Sequence, residues 1–503
     1  MQISDSYHSV RAGLGLLFLL RNPRGLKVGL KRRKLLLASL FLCFSSSAWS
    51  SIQTYGQALE LALENNPGLA STYFDFAASR ERVAVVEGEL KPSLDVQAVR
   101  GKEDRITPSS DFGTYNKNDV RFTATQLVFD GFQTLDRVRA AEFEARRDLQ
   151  GHIRASENAA LEVTEAYLQV ALFQRLKNFS EQNYHYHRVQ EAKIEDRVRS
   201  GIDASVDLEQ ITARLALAES NVLTETTNLH DTLAELQRIT GERVSVETLP
   251  LPLLPPELMG SSRDDVLRLA LRQSPRVREA TEEMLAVNAE RDAARGPFFP
   301  RIDLRYRHEQ SDSLDGLSGN FDTEAVELVF NFNFYRGGSD EAQRRERNQR
   351  FYGAMEARKQ ACWYTRREVL VAYNESNVLE KQVALLQVQL KAQVLARIAY
   401  DGERTLGKRS LLDVLDSQNE YFDTQRALAR AKTGLILARA KALAEAGSLL
   451  AAFGVSIVRP ESLDWQWDPA LSSAYAQCPS VPTEAIDVDF EDIYDRLQRS
   501  AGS

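Results

Sequence analysis

The feature that most constrains this chain is that it repeats itself. Ala58-Leu59 through Asn66-Pro67 returns as Val266-Leu267 through Ser274-Pro275, a displacement of 208 residues that Pro92 and Pro300 share. Gly131 and Gly337, Gly201 and Gly407, and Asp207 and Asp413 are each 206 apart. Landmarks at almost one offset mark two copies of one structural unit, and a repeat decides the fold before any local propensity does. Residues 51–248 form the first copy and residues 262–454 the second. A linker at 249–261 joins them, Pro-rich over Leu249–Pro256, and an acidic tail occupies 455–503.

Each copy has the same internal order. A helical segment (about 54–90 and 262–295) shows apolar positions at three-and-four spacing and closes on a Pro. The period then changes to two. In the first copy Leu94-Asp95-Val96-Gln97-Ala98 and Val120-Arg121-Phe122-Thr123-Ala124 alternate, predicting a hairpin at about 93–129. In the second, Ile302-Asp303-Leu304-Arg305-Tyr306 and Val326 through Phe334 predict one at about 301–335. Polar, Gly-containing loops are expected within them, at about 101–118 and 309–322. Each copy then resumes as a very long helix, about 133–199 and 339–404, broken near Gly201 and Gly407 and followed by a return helix. Roughly 65 residues at 1.5 Å each extend about 100 Å, beyond any ordinary globular domain. Such lengths need coiled-coil-like packing against neighbours.

The first fifty residues differ from the rest. They carry eight Lys or Arg against Asp5 alone, and removing their net +7 takes the chain from −8 to −15. Lys31-Arg32-Arg33-Lys34, the apolar run Leu35–Phe44 and Ser45-Ser46-Ser47-Ala48-Trp49-Ser50 form a secretory leader, with Ser51 the expected mature start. A short hydrophobic anchor is the alternative, although neither this run nor Leu14–Leu20 approaches the ~20 residues of a spanning helix. Leu42 before Cys43 is too large for a lipoprotein cleavage site, so no lipid anchor is expected. Cys362 and Cys478 are too few for a disulfide framework, and their spacing does not say whether they pair.

An exported chain with alternating strands of about the 9–11 residues that cross a bilayer, and with Phe298, Phe299, Phe334 and Tyr335 near the strand ends, reads as a membrane β-protein. A soluble half-buried sheet alternates in the same way and is the competing reading. Four strands cannot close a barrel, and hydrocarbon tolerates no open sheet edge. Three chains would supply twelve strands, with polar faces lining a water-filled lumen. The fold class expected is a mixed α+β membrane protein: four transmembrane β-strands per chain in a shared trimeric 12-stranded barrel, continued by a long α-helical periplasmic tunnel.

Residues 402–416, GERTLGKRSLLDVLD, nearly spell a phosphate-binding loop, but Arg409 stands where a Ser or Thr hydroxyl should hold magnesium. Leu395–Tyr400 continue a helix where a buried strand should lead in, and the first copy has Ile202 where the Lys would be. A helix–turn–helix tip is the better reading: Gly407 permits a left-handed turn, and Ser410 begins the next helix with Asp413 three residues on. Asp416 lies one turn further, too far in for capping. Two carboxylates at i,i+3 repel, which suits an aqueous surface or a cationic partner.

The repeat, the Asn65-Asn66-Pro67 opening, the Phe129-Asp130-Gly131 strand exit and above all Gly407-Lys408-Arg409-Ser410-Leu411-Leu412-Asp413-Val414-Leu415-Asp416 resemble TolC-type outer-membrane channel proteins over roughly residues 52–454. The resemblance implies a homotrimer set in outer-membrane lipid, a periplasmic membrane-fusion adaptor, and an inner-membrane ABC transporter or proton-driven pump. It implies no enzymatic chemistry and no cofactor. Acids matching Asp413 and Asp416 would line the periplasmic constriction, six in a trimer, and Arg409 would help hold it closed. Gly201, Asp207, Gly407 and Ser410 would present tip turns to the adaptor. Arg404 departs from the family, which often has Tyr three residues before the turn Gly, and so leaves that closing contact open. Type I protein secretion, as of an adhesin or toxin, is favoured over small-molecule efflux because the tip resembles members serving secretion. A periplasmic coiled-coil scaffold is the rival from another class.

Other patterns carry less. His185 and His187, two apart on a helix, point to different sides and suit surface or packing roles rather than a metal. Arg344-Arg345-Glu346-Arg347 reads as a solvated helix face, and no nucleic-acid partner is expected of so acidic a chain. The tail bearing Asp487, Asp489, Glu491 and Asp492 reads as a loosely ordered appendage.

Overall fold

The structure is a computed structural model that describes residues 52–244, 248–255, 262–314, 317–455, 478 and 488–501. The leader, the linker beyond residue 255 and most of the tail therefore lie outside the described residues. Helix α1 (Tyr55–Asn65) opens on a capping box between Thr54 and Gln57. Helix α2 (Pro67–Gly88) follows directly, with the Asn66 carboxamide oxygen accepting from the Gly68 and Leu69 amides at 2.8 and 3.3 Å. The single opening helix expected of each copy is thus two, because Pro67 and Pro275 exclude helical geometry at the residue before them. The second copy divides likewise into α5 (Arg263–Gln273) and α6 (Pro275–Ala293).

Strands β1 (Ser93–Thr107), β2 (Ser110–Phe129), β3 (Arg301–Leu314) and β4 (Leu317–Asn331) form one antiparallel sheet in sequence order. They run well past the expected lengths. The segments read as loops at 101–118 and 309–322 are mostly strand, paired out to Thr107–Ser110 and Leu314–Leu317. Their polar composition suggests loop, but cross-strand charges support the ladder: Lys117 Nζ reaches Glu103 at 2.9 Å. At the other end β4 stops at Asn331, opposite the first residue of β3, so Phe332–Phe334, read from the sequence as strand, lie beyond its end.

One face of the sheet carries Leu94, Val96, Ala98, Phe122, Ala124, Leu304, Tyr306, Val326, Leu328 and Phe330, as the register dictates. Val96 and Val326 are 72% and 75% exposed, so this chain leaves the apolar face uncovered. The opposite face is charged. Arg121 donates to Glu309 at 2.7 Å, and Arg307 lies 3.5 Å from Glu327 and 3.8 Å from Glu309.

The exit from β2 is built by Asp130, whose carboxylate accepts from the Thr134 amide at 2.9 Å and hydroxyl at 2.6 Å. Gly131 there has φ +69°, and a Cβ would meet that of Phe299 at 2.6 Å. Helices α3 (Gln133–Arg199) and α7 (Ser339–Thr405) are 67 residues each, about 100 Å long. Helices α4 (Ser205–Thr240) and α8 (Leu411–Glu445) return alongside them, and the one-turn α9 (Leu449–Ala452) follows.

The main core lies where α1, α3, α4, α8 and α9 meet. Its large side chains are Tyr55, Tyr167, Leu236, Leu249 and Leu449, among many alanines that let helices approach closely. The Tyr167 hydroxyl donates to the Pro250 carbonyl at 2.9 Å, which fastens the start of the linker. Glu157, 2% exposed, accepts from the Leu449 and Leu450 amides at the start of α9, and burial pushes its carboxyl up to about 7. Cys362 of α7 and Cys478 form a disulfide, which answers the pairing question the spacing left open. The tail is not wholly irregular: Phe490–Ala501 form helix α10, with Phe490, Tyr494 and Leu497 along one side. That apolar spacing, rather than the acids beside it, is the helix signal. Among the described residues, no helix is long and apolar enough to cross a membrane.

Candidate functional site

The far ends of the long helices form two neighbouring tips. Both turn in the same way. Gly201 and Gly407 each have φ +70°. The Gly201 amide donates to Val198 and the Ile202 amide to Arg197; Gly407 donates to Arg404 and Lys408 to Glu403, all at 2.9 to 3.0 Å. This pair of bonds closes a helix with glycine in the left-handed position and satisfies its last carbonyls. Behind the turns Ile194, Ile211, Leu411 and Leu415 are buried against one another and lock the two hairpins together.

Ser410 and Asp413 form a reciprocal capping box at the start of α8, with the Ser410 hydroxyl donating to the Asp413 carboxylate at 2.8 Å. Hydrogen bonds from the Ser410 hydroxyl and amide hold the Asp413 carboxyl below its ordinary range. Asp413 thus caps its helix and is charged. Asp416, half exposed, accepts from Arg214 of α4 at 2.9 Å.

Arg409 points back along its own hairpin, donating to Glu403 at 2.7 Å with its guanidinium 4.3 Å from the Tyr400 ring centre. Within one chain it does not reach the other tip. Arg404 does: it donates to Asp203 at 2.9 Å and lies 3.8 Å from Asp207. The Asp203 carboxyl, also gripped at both oxygens by Arg197 at 2.7 and 3.0 Å, is held below its ordinary range by Arg197 first and Arg404 second. Below these ties, the Gln418 amide donates to Asn183 at 2.9 Å, and Arg426 to the buried Glu225 at 2.8 Å.

All seven tip residues singled out in the sequence therefore gather at one end of the molecule. Four partners were missed: Arg197, Asp203, Arg214 and Glu403. A signal for three of them exists, since the 206-residue offset sets Arg197 against Glu403 and Asp203 against Arg409, one ion pair written twice with its charges exchanged. Of the two histidines, His185 is exposed, whereas His187 is buried and pushed down to about 4 by burial and, less, by Arg214. Among the described residues, no group of His, Cys, Asp and Glu could hold a metal ion.

Residues 58–242 and 266–446 match the family described as outer membrane efflux protein, one segment in each copy. The chain is 24% identical to the outer membrane efflux protein BepC of Brucella suis over 408 residues, covering 79% of this chain and 86% of BepC. It is 22% identical to the alkaline protease secretion protein AprF of Pseudomonas aeruginosa, covering 77% and 83%. The crystal structure of the outer membrane protein VceC from Vibrio cholerae superposes with a TM-score of 0.69 over 80% of this chain and 96% of that one, at 17% identity. Doubled hairpins, paired long helices and family match agree, and the chain belongs to the outer membrane efflux protein family, non-enzymatic channels of the outer membrane that extend into the periplasm.

Proposed function

We propose that the chain is the trimeric exit duct of a tripartite exporter, gated at the tips. The observation that carries the reading is a four-stranded sheet with an uncovered apolar face and a charged opposite face, continuous with helices about 100 Å long. Three sheets close a barrel in lipid, and the helices carry its lumen to the tips. There Asp413 and Asp416 of three copies make a ring of carboxylates that draws cations into the constriction. Arg404, joined to Asp203 and Asp207, ties one hairpin to the other in the closed state. Arg409 braces the turn of its own hairpin. The exposed turns at Gly201 and Gly407, with Asp207 and Ser410 beside them, receive the periplasmic adaptor, which couples the duct to an inner-membrane transporter.

Replacing Asp413 and Asp416 together with Ala abolishes block by multivalent cations in planar-bilayer conductance. Because Asp413 also caps α8, the Asp413→Asn, Asp416→Asn variant is the companion, keeping hydrogen-bonding groups while removing charge. Block that survives in both variants refutes the gate.

For cargo, protein secretion by a type I system is the reading favoured by the Leu411–Asp416 tip and by likeness to AprF. Small-molecule efflux is the second reading, favoured by likeness to BepC. Deleting the chain separates them: loss of a large protein from the medium supports the first, and sensitivity to small toxic compounds alone supports the second.

A further inference from the structure

We propose that the outward side of the β1–β2 hairpin, where Arg100 and Lys102 stand at the upper border of the apolar band, binds the phosphates of the acylated, phosphorylated glycolipid that fills the outer leaflet of the outer membrane. The proposal rests on the channel reading above, which turns the hairpin ends to the cell exterior, and it assigns a ligand to a surface that the reading only sets in lipid.

The strand register locates that border. Leu94, Ala124, Tyr306 and Val326 form one row across the sheet, all apolar. Four residues further along β1, the row of Ala98, Val120, Gln310 and Asp322 is apolar on β1 and β2 but polar on β3 and β4. The border therefore drops by four residues, about 13 Å, over three strand spacings, about 14 Å, an inclination of roughly 40°. Strands tilt by about that angle in a membrane barrel, so a border oblique to the sheet is level in the bilayer.

Just above it on β1 come Arg100 and Lys102, paired across the ladder with Asn118 and Asn116. Both cations are exposed, and among the described residues neither makes an ion pair or a side-chain hydrogen bond. Inward-facing cations of β2 behave differently: Lys117 reaches Glu103 at 2.9 Å and Arg121 reaches Glu309 at 2.7 Å. Those two carry their own counterions, whereas Arg100 and Lys102, at the edge of hydrocarbon, have none. Outward acids gather mainly on the other hairpin, where Asp322 and Glu324 lie 3.4 and 3.6 Å from His308 and Asp312 accepts from Asn118 at 2.9 Å. Asp104 stands one rung above Lys102, farther from the border.

A phosphate carried on an acylated sugar meets Arg100 and Lys102 at the right depth. The acyl chains lie on Val96, Ala98, Val120 and Phe122, of which Val96 is 72% and Val120 51% exposed. The Arg100 guanidinium takes phosphate through two parallel hydrogen bonds, Lys102 adds a point charge, and the Asn116 carboxamide serves sugar hydroxyls. An anionic phospholipid of the inner leaflet is excluded by depth, because the hydrocarbon separates it from this border. The acids over β3 and β4 repel phosphate, which leaves one site per chain.

The test is native mass spectrometry of full-chain trimers in uncharged detergent, titrated with diphosphoryl lipid A. The native trimer binds one molecule per chain, and Arg100→Gln with Lys102→Gln weakens binding by about tenfold or more, while Glu324→Gln does not weaken it. Lipid A stripped of its phosphates binds the native trimer as weakly as the double variant binds the intact lipid, an arm that needs no substitution. The proposal is overturned by native trimers that bind no lipid A, by equal binding of the stripped lipid, or by undiminished binding in the double variant. Binding lost with EDTA and in Glu324→Gln also overturns it, since the phosphates then sit on the acids through a divalent cation. Each of these results is read on trimers and leaves the channel reading standing. Absence of any trimer in outer membranes carrying the native chain overturns that reading and the site with it.

Discussion

At the first tip a cation on the helix, Arg197, reaches an anion in the turn, Asp203; at the second the helix carries the anion, Glu403, and the turn the cation, Arg409. The backbone of the two turns is the same down to the bonds made by Gly201 and Gly407. Identical turns with identical charges would repel where they adjoin. Exchanging the signs gives one tip an anion that the other can address, and Arg404 does so. A second difference follows from one hydroxyl. Ser410 engages Asp413 in a capping box, whereas the equivalent Ala204 makes no side-chain cap, which leaves Asp207 free to face Arg404. Duplication supplied the shape, and divergence at a few polar positions turned two copies into partners.

The comparison breaks most visibly at Arg404. Arg404→Ala removes the tie between tips while leaving both turns intact. A partly buried ion pair of this kind contributes on the order of 1 kcal/mol, and three copies together about 3, so the ratio of open to closed channels rises on the order of 100-fold. Single-channel conductance reads this, with Arg409→Ala as the contrast, since its contacts stay within one tip and the closed state persists.

A difference of comparable size lies far from the tips. Glu157 is buried in the first copy, whereas its equivalent at the 206 offset, Trp363, is 58% exposed. The folded chain holds the Glu157 proton up to about pH 7, against an ordinary value of 4.5. Folding therefore takes up a proton between these values. Stability is greatest at the acid end of that window and declines as pH rises through it, by up to about 3 kcal/mol. Thermal melts at pH 5 and 8 show this drop in the native chain and a smaller one in Glu157→Gln.

The smallest effect sharpens the capping contrast. Ser410→Ala destabilises the start of α8 by about 1 kcal/mol, and Ala204→Ser stabilises α4 by a similar or smaller amount. Hydrogen exchange confined to the first turn of each helix measures both.

Much of this architecture was legible from spacing alone. The offsets between Gly201 and Gly407 and between Pro92 and Pro300 place both tips and both hairpins, because glycine and proline constrain the backbone wherever they occur. The strand ends were not legible. Glu103 and Lys117 look like loop residues unless the strand opposite is known, since their ion pair forms across the ladder. Arg404 and Asp203 are 201 residues apart, and only the packing of Ile194, Ile211, Leu411 and Leu415 brings them together. The burial of Glu157 likewise depends on α9 folding back over it.

The disulfide gives the two tips different mechanical standing. Cys362 and Cys478 are 116 residues apart, and the stretch they enclose contains about the last two thirds of α7, the second tip and the whole of α8. The second hairpin is therefore part of a closed covalent ring, while the first is held among its neighbours by packing, ion pairs and hydrogen bonds alone. In the chain-entropy account a ring of that length removes about 5 kcal/mol of freedom from the unfolded chain. In the gated duct proposed above, a cargo that parts the tips would push the second hairpin aside without unravelling it past the bridge, so opening would strain the first copy before the second.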